Sequence, residues 1–415
     1  MSNTNSGEGR WRDYHNIWLV LFLSWTLLYA DRAITGPVVS WMIANQVGFM
    51  LEAPMPHAIG GIIGSMFFAG YMLTQFPAGH LGDRYGHRVL IFISVLWSGI
   101  ATLLNGLVKS LNSFVALRII TGLGEGAYYS NDRAIICQVT PEKSRGLGLG
   151  IVFTGLALGM TLAFVLTPMI IQAGEQMLGE EAAWSLPFII FAFPTLIMSF
   201  VLWKVFAIPS SDILAAGKRM VSWAVVFLMV LMGVYLASAE LGLGAVSQAI
   251  LVLTAAMALI AFIYSSRGFV KSKALKDRKL VMVYLSAIPL LYTLWFFGFW
   301  ALLVVAEASN MGLPGAALYA ALFGLASGIG YPLGGKLCDC FGANRRRAVY
   351  ILLCLSVVLA IIAIAWLVQG ESPHPLALGV LLFIMGVLFA ASQTANMALT
   401  ADLSPAEERG SSFGM

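Results

Sequence analysis

Long apolar stretches alternate with short polar breaks along the whole chain. Twelve stretches reach the roughly 20 residues that a helix needs to cross a bilayer. They cover about 16–43, 58–80, 88–109, 112–137, 146–172, 183–206, 220–239, 244–265, 280–304, 313–337, 347–368 and 375–400. The pattern predicts an all-α integral membrane protein. With the N-terminus in the cytoplasm and alternating sides, every Lys and Arg except Arg32, Arg118 and Lys109 falls in a cytoplasmic loop or at a cytoplasmic helix end. That asymmetry is what the positive-inside rule demands. It predicts a multi-pass protein of the cell (cytoplasmic, inner) membrane. Residues 1–15 read as a polar cytoplasmic tail. The first apolar stretch is too long for a cleaved signal.

Composition agrees: 59% of residues are hydrophobic and 11% are charged, where a soluble domain carries about 25% charge. The net charge of +4 matters less than its placement. The basic loops set topology, so no nucleic-acid partner is expected. The group Arg267, Lys271, Lys273, Lys276, Arg278 and Lys279 suits anionic lipid headgroups. Cys137, Cys338, Cys340 and Cys354 read as reduced thiols, and Cys338-x-Cys340 lacks zinc spacing, so no metal is expected.

An internal repeat organises the chain. Gly79-His-Leu-Gly-Asp83-Arg84-Tyr-Gly86-His-Arg88 reappears as Gly335-Lys-Leu-Cys-Asp339-Cys-Phe-Gly342-Ala-Asn-Arg345. Pro141-Glu-Lys-Ser-Arg145-Gly146 reappears as Pro405-Ala-Glu-Glu-Arg409-Gly410. Two matches in one order imply two homologous halves, and parallel halves of this kind flank a central site in transporters. The first element resembles the loop between the second and third helices of the major facilitator superfamily. Arg118-x-x-x-Gly122-x-Gly124-x-Gly126 resembles that superfamily's fourth-helix motif. The resemblance covers essentially the whole chain and implies two pseudo-symmetric six-helix bundles.

In that superfamily the second loop motif lies between helices eight and nine, but here it follows the tenth apolar stretch. Residues 207–279 are therefore expected to be a linker carrying an extra transmembrane hairpin, with 16–206 as the N-terminal bundle. Residues 280–415 would form an incomplete C-terminal bundle of four helices, the chain ending before the last two. The hairpin carries almost no mid-membrane charge and is expected to pack against lipid, outside the central cavity. The loop motif, through Gly79, Asp83, Arg84, Gly86 and Arg88 and through Asp339, Gly342 and Arg345, is expected to latch helix ends and to serve gating.

Charges inside the apolar stretches are the candidate chemistry. A charge at mid-bilayer depth costs about 2.5–3.5 kcal/mol on insertion scales, so it needs a partner or a role. Asp31 and Arg32 interrupt the first stretch. Arg118, Glu125 and Asp132 recur every seven residues on the fourth and share one helix face. Arginine keeps its proton, whereas buried acids exchange theirs. Fixed positive charge beside protonatable acids suits an organic anion, because a carboxylate fits the guanidinium fork with two hydrogen bonds. Asp132 and Arg133 lie nearer the cytoplasmic end and are expected to be hydrated, as are His80 and His87.

Tyr29-x-Asp31-Arg32 and Arg118-x6-Glu125-Gly126 resemble signatures of the anion:cation symporter family. The resemblance implies that Arg32 contacts a substrate carboxylate, that Asp31 and Glu125 take protons, that Arg118 pairs with an acid, and that Tyr29 lines the site. Tyr128 and Tyr129 flank the same face. Tyr292, Trp295, Tyr331, Gln393 and Asn396 are candidate walls from the second half. The expected activity is proton-coupled symport of a small carboxylate, such as a sugar acid or aromatic acid, by alternating access. The proton is the coupling ion, no cofactor is required, and a monomer suffices. The alternatives are a spinster-like lipid or lysolipid carrier, a proton-driven drug exporter, and a non-transporting membrane sensor. No phosphate-binding glycine loop and no nucleophile–base pair point to an enzyme.

Overall fold

The computed structural model describes residues 11–50, 55–265, 276–311, 313–370 and 374–415; side chains at 295, 298–300, 302, 303, 313, 314 and 317 lie outside the description. The described residues contain helices and no strand. The first half comprises α1 (Asp13–Ala33), α2 (Thr35–Asn45), α3 (Pro56–Tyr85), α4 (His87–Asn105), α5 (Leu111–Val139), α6 (Arg145–Leu178), the short α7 (Glu180–Ala183) and α8 (Leu186–Phe206). Next come α9 (Ser210–Glu240) and α10 (Ala245–Ser265). The second half comprises α11 (Arg278–Ala308), α12 (Leu313–Phe341), α13 (Ala343–Val368), α14 (Pro375–Leu403) and the short α15 (Arg409–Gly414). Nine stretches among the described residues are long and apolar enough to cross a membrane. The charged α5 is not one of them, and its neighbours enclose it.

The repeat is visible in the packing. In the first half α3 lies against α5, and in the second α12 lies against α14. The halves join through two matching crossings, α12 on α6 and α15 on α3. At each crossing an aspartate of the loop motif caps the first turn of a helix from the other half. Asp83 accepts from Gly410 N and Ser411 N, both at 2.8 Å. Asp339 accepts from Gly146 N at 2.9 Å and Leu147 N at 2.7 Å. A carboxylate belongs there because the first N–H groups of a helix are unpaired and carry partial positive charge. Glycine makes the approach possible. A Cβ on Gly335 would stand 2.1 Å from Gly146 O, and one on Gly79 would stand 2.1 Å from Gly410 O.

These bonds correct the expected latch. Arg84, Arg88 and Arg345 are exposed. Buried Arg346 serves instead, bonding Asp402 at 2.5 Å and Glu142 O at 3.2 Å, with Asp339 at 3.4 Å. In the first half the neighbour is His87, buried rather than hydrated, 2.8 Å from Asn131 Oδ1 and 3.5 Å from Asp83. The motif glycines Gly86 and Gly342 stop α3 and α12 with φ of +98° and +71°, a conformation open to residues without a Cβ.

Among the described residues, the contacts that join the halves gather at the motif end. The face of α6 that meets α12 at Gly146, Gly150 and Phe153 continues through Thr161, Phe164 and Pro168, which are exposed. The facing side of α12 continues through Ala321, Gly324 and Leu325, also exposed. The halves therefore splay toward the far end. The α9–α10 hairpin packs mainly on α3, with Phe76 edge-on to Tyr264 at 4.6 Å. Its outer face bears exposed Val221, Val225, Met229, Met257 and Phe262.

Candidate functional site

The site begins at a break in the first span. Pro37 has no N–H, so the Ala33 carbonyl loses its helical donor, and Ile34 becomes a turn between α1 and α2. Adjacent helical side chains point about 100° apart. Asp31 and Arg32, just before the break, accordingly reach different helices. Asp31 turns to α4, accepting from Ser98 Oγ at 2.8 Å and Thr102 Oγ1 at 2.5 Å. Arg32 turns to α5, where Nε (3.1 Å) and Nη2 (2.9 Å) both donate to Glu125 Oε2. The other oxygen, Oε1, lies 3.2 Å from Ser98 Oγ.

One serine thus stands between two carboxylates. A hydroxyl has a single proton to donate, so Ser98 satisfies one acid at a time. The arrangement accommodates a proton on either acid, which then donates to Ser98 in turn. Asp31 and Glu125 are buried, while the Arg32 side chain keeps 10% of its surface. Its guanidinium lies over the rings of Tyr29 (4.5 Å), Tyr71 (4.4 Å) and Phe67 (5.0 Å). Nη1 has no bonded partner among the described residues.

Arg118 lies two turns before Glu125. It donates to Asn105 Oδ1 (3.0 Å), Thr35 Oγ1 (2.7 Å) and Thr121 Oγ1 (3.3 Å). Phe114 and Phe188 wall it in. Its direct partners are neutral oxygens; among the described residues no acid lies within ion-pair distance of it. Two turns beyond Glu125, Asp132 and Arg133 pair with each other. Both are fully buried, which corrects the expectation that they are hydrated. The Arg133 guanidinium rests on Tyr129 (4.0 Å), Phe153 (4.6 Å) and Trp25 (5.2 Å), and its Nε is 3.3 Å from Met397 Sδ of the second half.

The structure brings Tyr29, Asp31, Arg32 and Glu125 together and leaves other candidates apart. Tyr128 is a buried strut whose hydroxyl donates to Leu21 O at 3.1 Å. Tyr129 belongs to the Arg133 cage. Tyr292 is 68% exposed on an outward stripe with Met282, Leu285 and Ile288, away from the cluster. Asn396 binds α14 to α11 and α13, through Val283 O at 3.2 Å and Tyr350 Oη at 3.1 Å. Gln393 is half-buried, with Oε1 unpartnered. The side chain of Trp295 is outside the described residues. Sequence reasoning missed α4. Ser94, Ser98, Thr102 and Asn105 form a polar stripe at steps of three and four on an otherwise apolar helix, all buried. That periodicity was the available signal.

The chain is similar to known proteins. Among curated relatives, a probable chloroplastic anion transporter of rice (Oryza sativa) is 28% identical over 220 residues, 51% of this chain and 34% of its own. A D-galactonate transporter of Escherichia coli is 31% identical over 191 residues, 46% of this chain and 41% of its own. The matched stretches thus span well under half of those relatives. Among solved structures, the human organic anion transporter MFSD10 superposes with a TM-score of 0.61 at 16% identity, over 97% of this chain and 89% of that one. All three are transporters rather than enzymes. The sequence profile described as Major Facilitator Superfamily matches residues 21–415, and to that superfamily the chain belongs.

Proposed function

We propose that the protein carries a small organic anion across the membrane together with protons, by alternating access. The observation that carries this reading is the Arg32–Glu125 contact, in which one carboxylate oxygen holds the Nε and Nη2 edge of the guanidinium. Protonating Glu125 weakens that hold, because a neutral acid has lost the charge-assisted term, worth about 1.5–3 kcal/mol per bond. Arg32 then offers its fork to a substrate carboxylate. Asp31, linked through Ser98, is the second proton carrier. Anion and proton each favour the state that the other binds, which is what couples them.

In this reading the motif end is cytoplasmic, so the described state is closed inward and splayed outward. The protein works as a monomer in the cytoplasmic membrane, surrounded by lipid. Relatives named for anion or D-galactonate transport support the carboxylate class. The test is uptake of radiolabelled carboxylates into proteoliposomes with and without an inward proton gradient. Accumulation that follows the gradient is expected. Flux indifferent to the gradient would overturn the coupling, and no carboxylate flux would overturn the substrate class.

A further inference from the structure

A second polar cluster lies where α1, α5 and α6 meet the second half. Arg133 Nη2, Tyr331 Oη and Trp25 Nε1 are buried and have no hydrogen-bond partner among the described residues. Their side chains are 1%, 0% and 1% exposed. Phe153 joins them: its ring is 4.6 Å from the Arg133 guanidinium, 4.8 Å from the Tyr331 ring and 6.0 Å from Trp25. Trp25 Nε1 is turned toward Asp132 without reaching bonding geometry. A buried donor left unpaired loses its hydration without recompense, so three around one ring call for a ligand that supplies acceptors. Gln393 lies one turn before Met397 on the same face of α14.

We propose that this cluster of donors binds the far end of a two-ended anion, a dicarboxylate, whose near carboxylate sits on Arg32. The inference rests on the carboxylate reading above and adds its length and charge. The two cages adjoin: Tyr29, over Arg32, is 5.0 Å from Trp25, over Arg133. Eight residues of α5 separate Glu125 from Arg133, a rise of about 12 Å, and both arginine side chains reach into that interval.

The test compares succinate, adipate and suberate with butyrate, hexanoate and octanoate as competitors of labelled acid uptake by the whole chain in proteoliposomes. One dicarboxylate should compete at least about tenfold better than the monoacid of its carbon number. Because Arg133→Ala strands Asp132 and risks the fold, Tyr331→Phe is the deciding variant: it removes a hydroxyl that bonds nothing described. It should bring the dicarboxylate-to-monoacid ratio close to one while leaving thermal stability without ligand as it was. Trp25→Phe should lower the ratio in the same direction. Monoacids equal to dicarboxylates in the parent protein, or a ratio untouched by Tyr331→Phe, overturns the inference while the carboxylate reading stands. Failure of every acid to compete overturns both.

Discussion

Asp31 and Glu125 share one hydroxyl: Ser98 Oγ lies 2.8 Å from the first and 3.2 Å from the second. The two acids sit on α1 and α5, and the serine that links them sits on α4. A single proton among three oxygen groups is therefore the smallest change that alters both acids together.

Removing that link separates the two titrations. Ser98→Ala leaves Thr102 on Asp31 and Arg32 on Glu125, so folding survives with a loss of about 1–2 kcal/mol for one buried hydrogen bond. Uptake driven by a proton gradient should fall several-fold, while exchange of substrate without a gradient persists. Equal losses in both assays would reduce Ser98 to a packing role.

Glu125→Gln tests coupling and predicts a pH effect with a definite sign. In the parent protein a carboxylate competes with substrate for Arg32 at high pH, and a neutral acid does not at low pH. Apparent affinity should therefore rise as pH falls. Glutamine is neutral at every pH, so the variant should keep high affinity and show a flat profile. Counterflow should continue, and gradient-driven accumulation should vanish. A profile as steep as that of the parent would assign the proton elsewhere.

Much of this site was legible beforehand, and the illegible parts share a physical cause. Intramembrane charge is expensive, so Asp31, Arg32, Arg118 and Glu125 stood out at once. Hydroxyls are cheap enough to pass in any apolar helix, and Ser98 and Thr102 were missed although their spacing with Ser94 and Asn105 marked a face. The motif aspartates were identified, but not their ligands. A carboxylate at a helix N-terminus binds backbone N–H groups, which no side-chain pattern reveals. Arg345 was chosen over Arg346 for the same reason: one residue of helical phase decides which cation turns inward, and the repeat drifts there. Fold class came through cleanly because twelve apolar stretches leave few alternatives.

The Arg32–Glu125 pair can be tested as a pair. Deleting one member of a buried ion pair costs about 3–5 kcal/mol, because the survivor is left uncompensated. Arg32→Met should therefore lower thermal stability sharply and abolish anion binding, a loss of at least about 100-fold. Replacing both, as Arg32→Met with Glu125→Gln, should recover most of the stability and none of the binding. Binding that returns with stability would remove Arg32 from the substrate site.

The glycine crossings predict how the motif end opens. Gly146 and Gly335 meet backbone to backbone, and a Cβ at 335 would lie 2.1 Å from Gly146 O and 2.5 Å from its carbonyl carbon. Backbone cannot yield as a side-chain tip does, so Gly335→Ala must part α6 from α12. Parting them lengthens both bonds from Asp339 to Gly146 and Leu147 and uncovers the neighbouring Cys338, which is fully buried. With exposed Cys340 and half-buried Cys354 replaced by alanine, maleimide should label Cys338 slowly in the parent background. Labelling should accelerate at least about tenfold in Gly335→Ala. The matching change at Gly79 acts on the other crossing, at α3 and α15, and should give the same acceleration only if both crossings open as one gate. If Cys338 in Gly335→Ala labels no faster than in the parent, the crossing is not what closes this end.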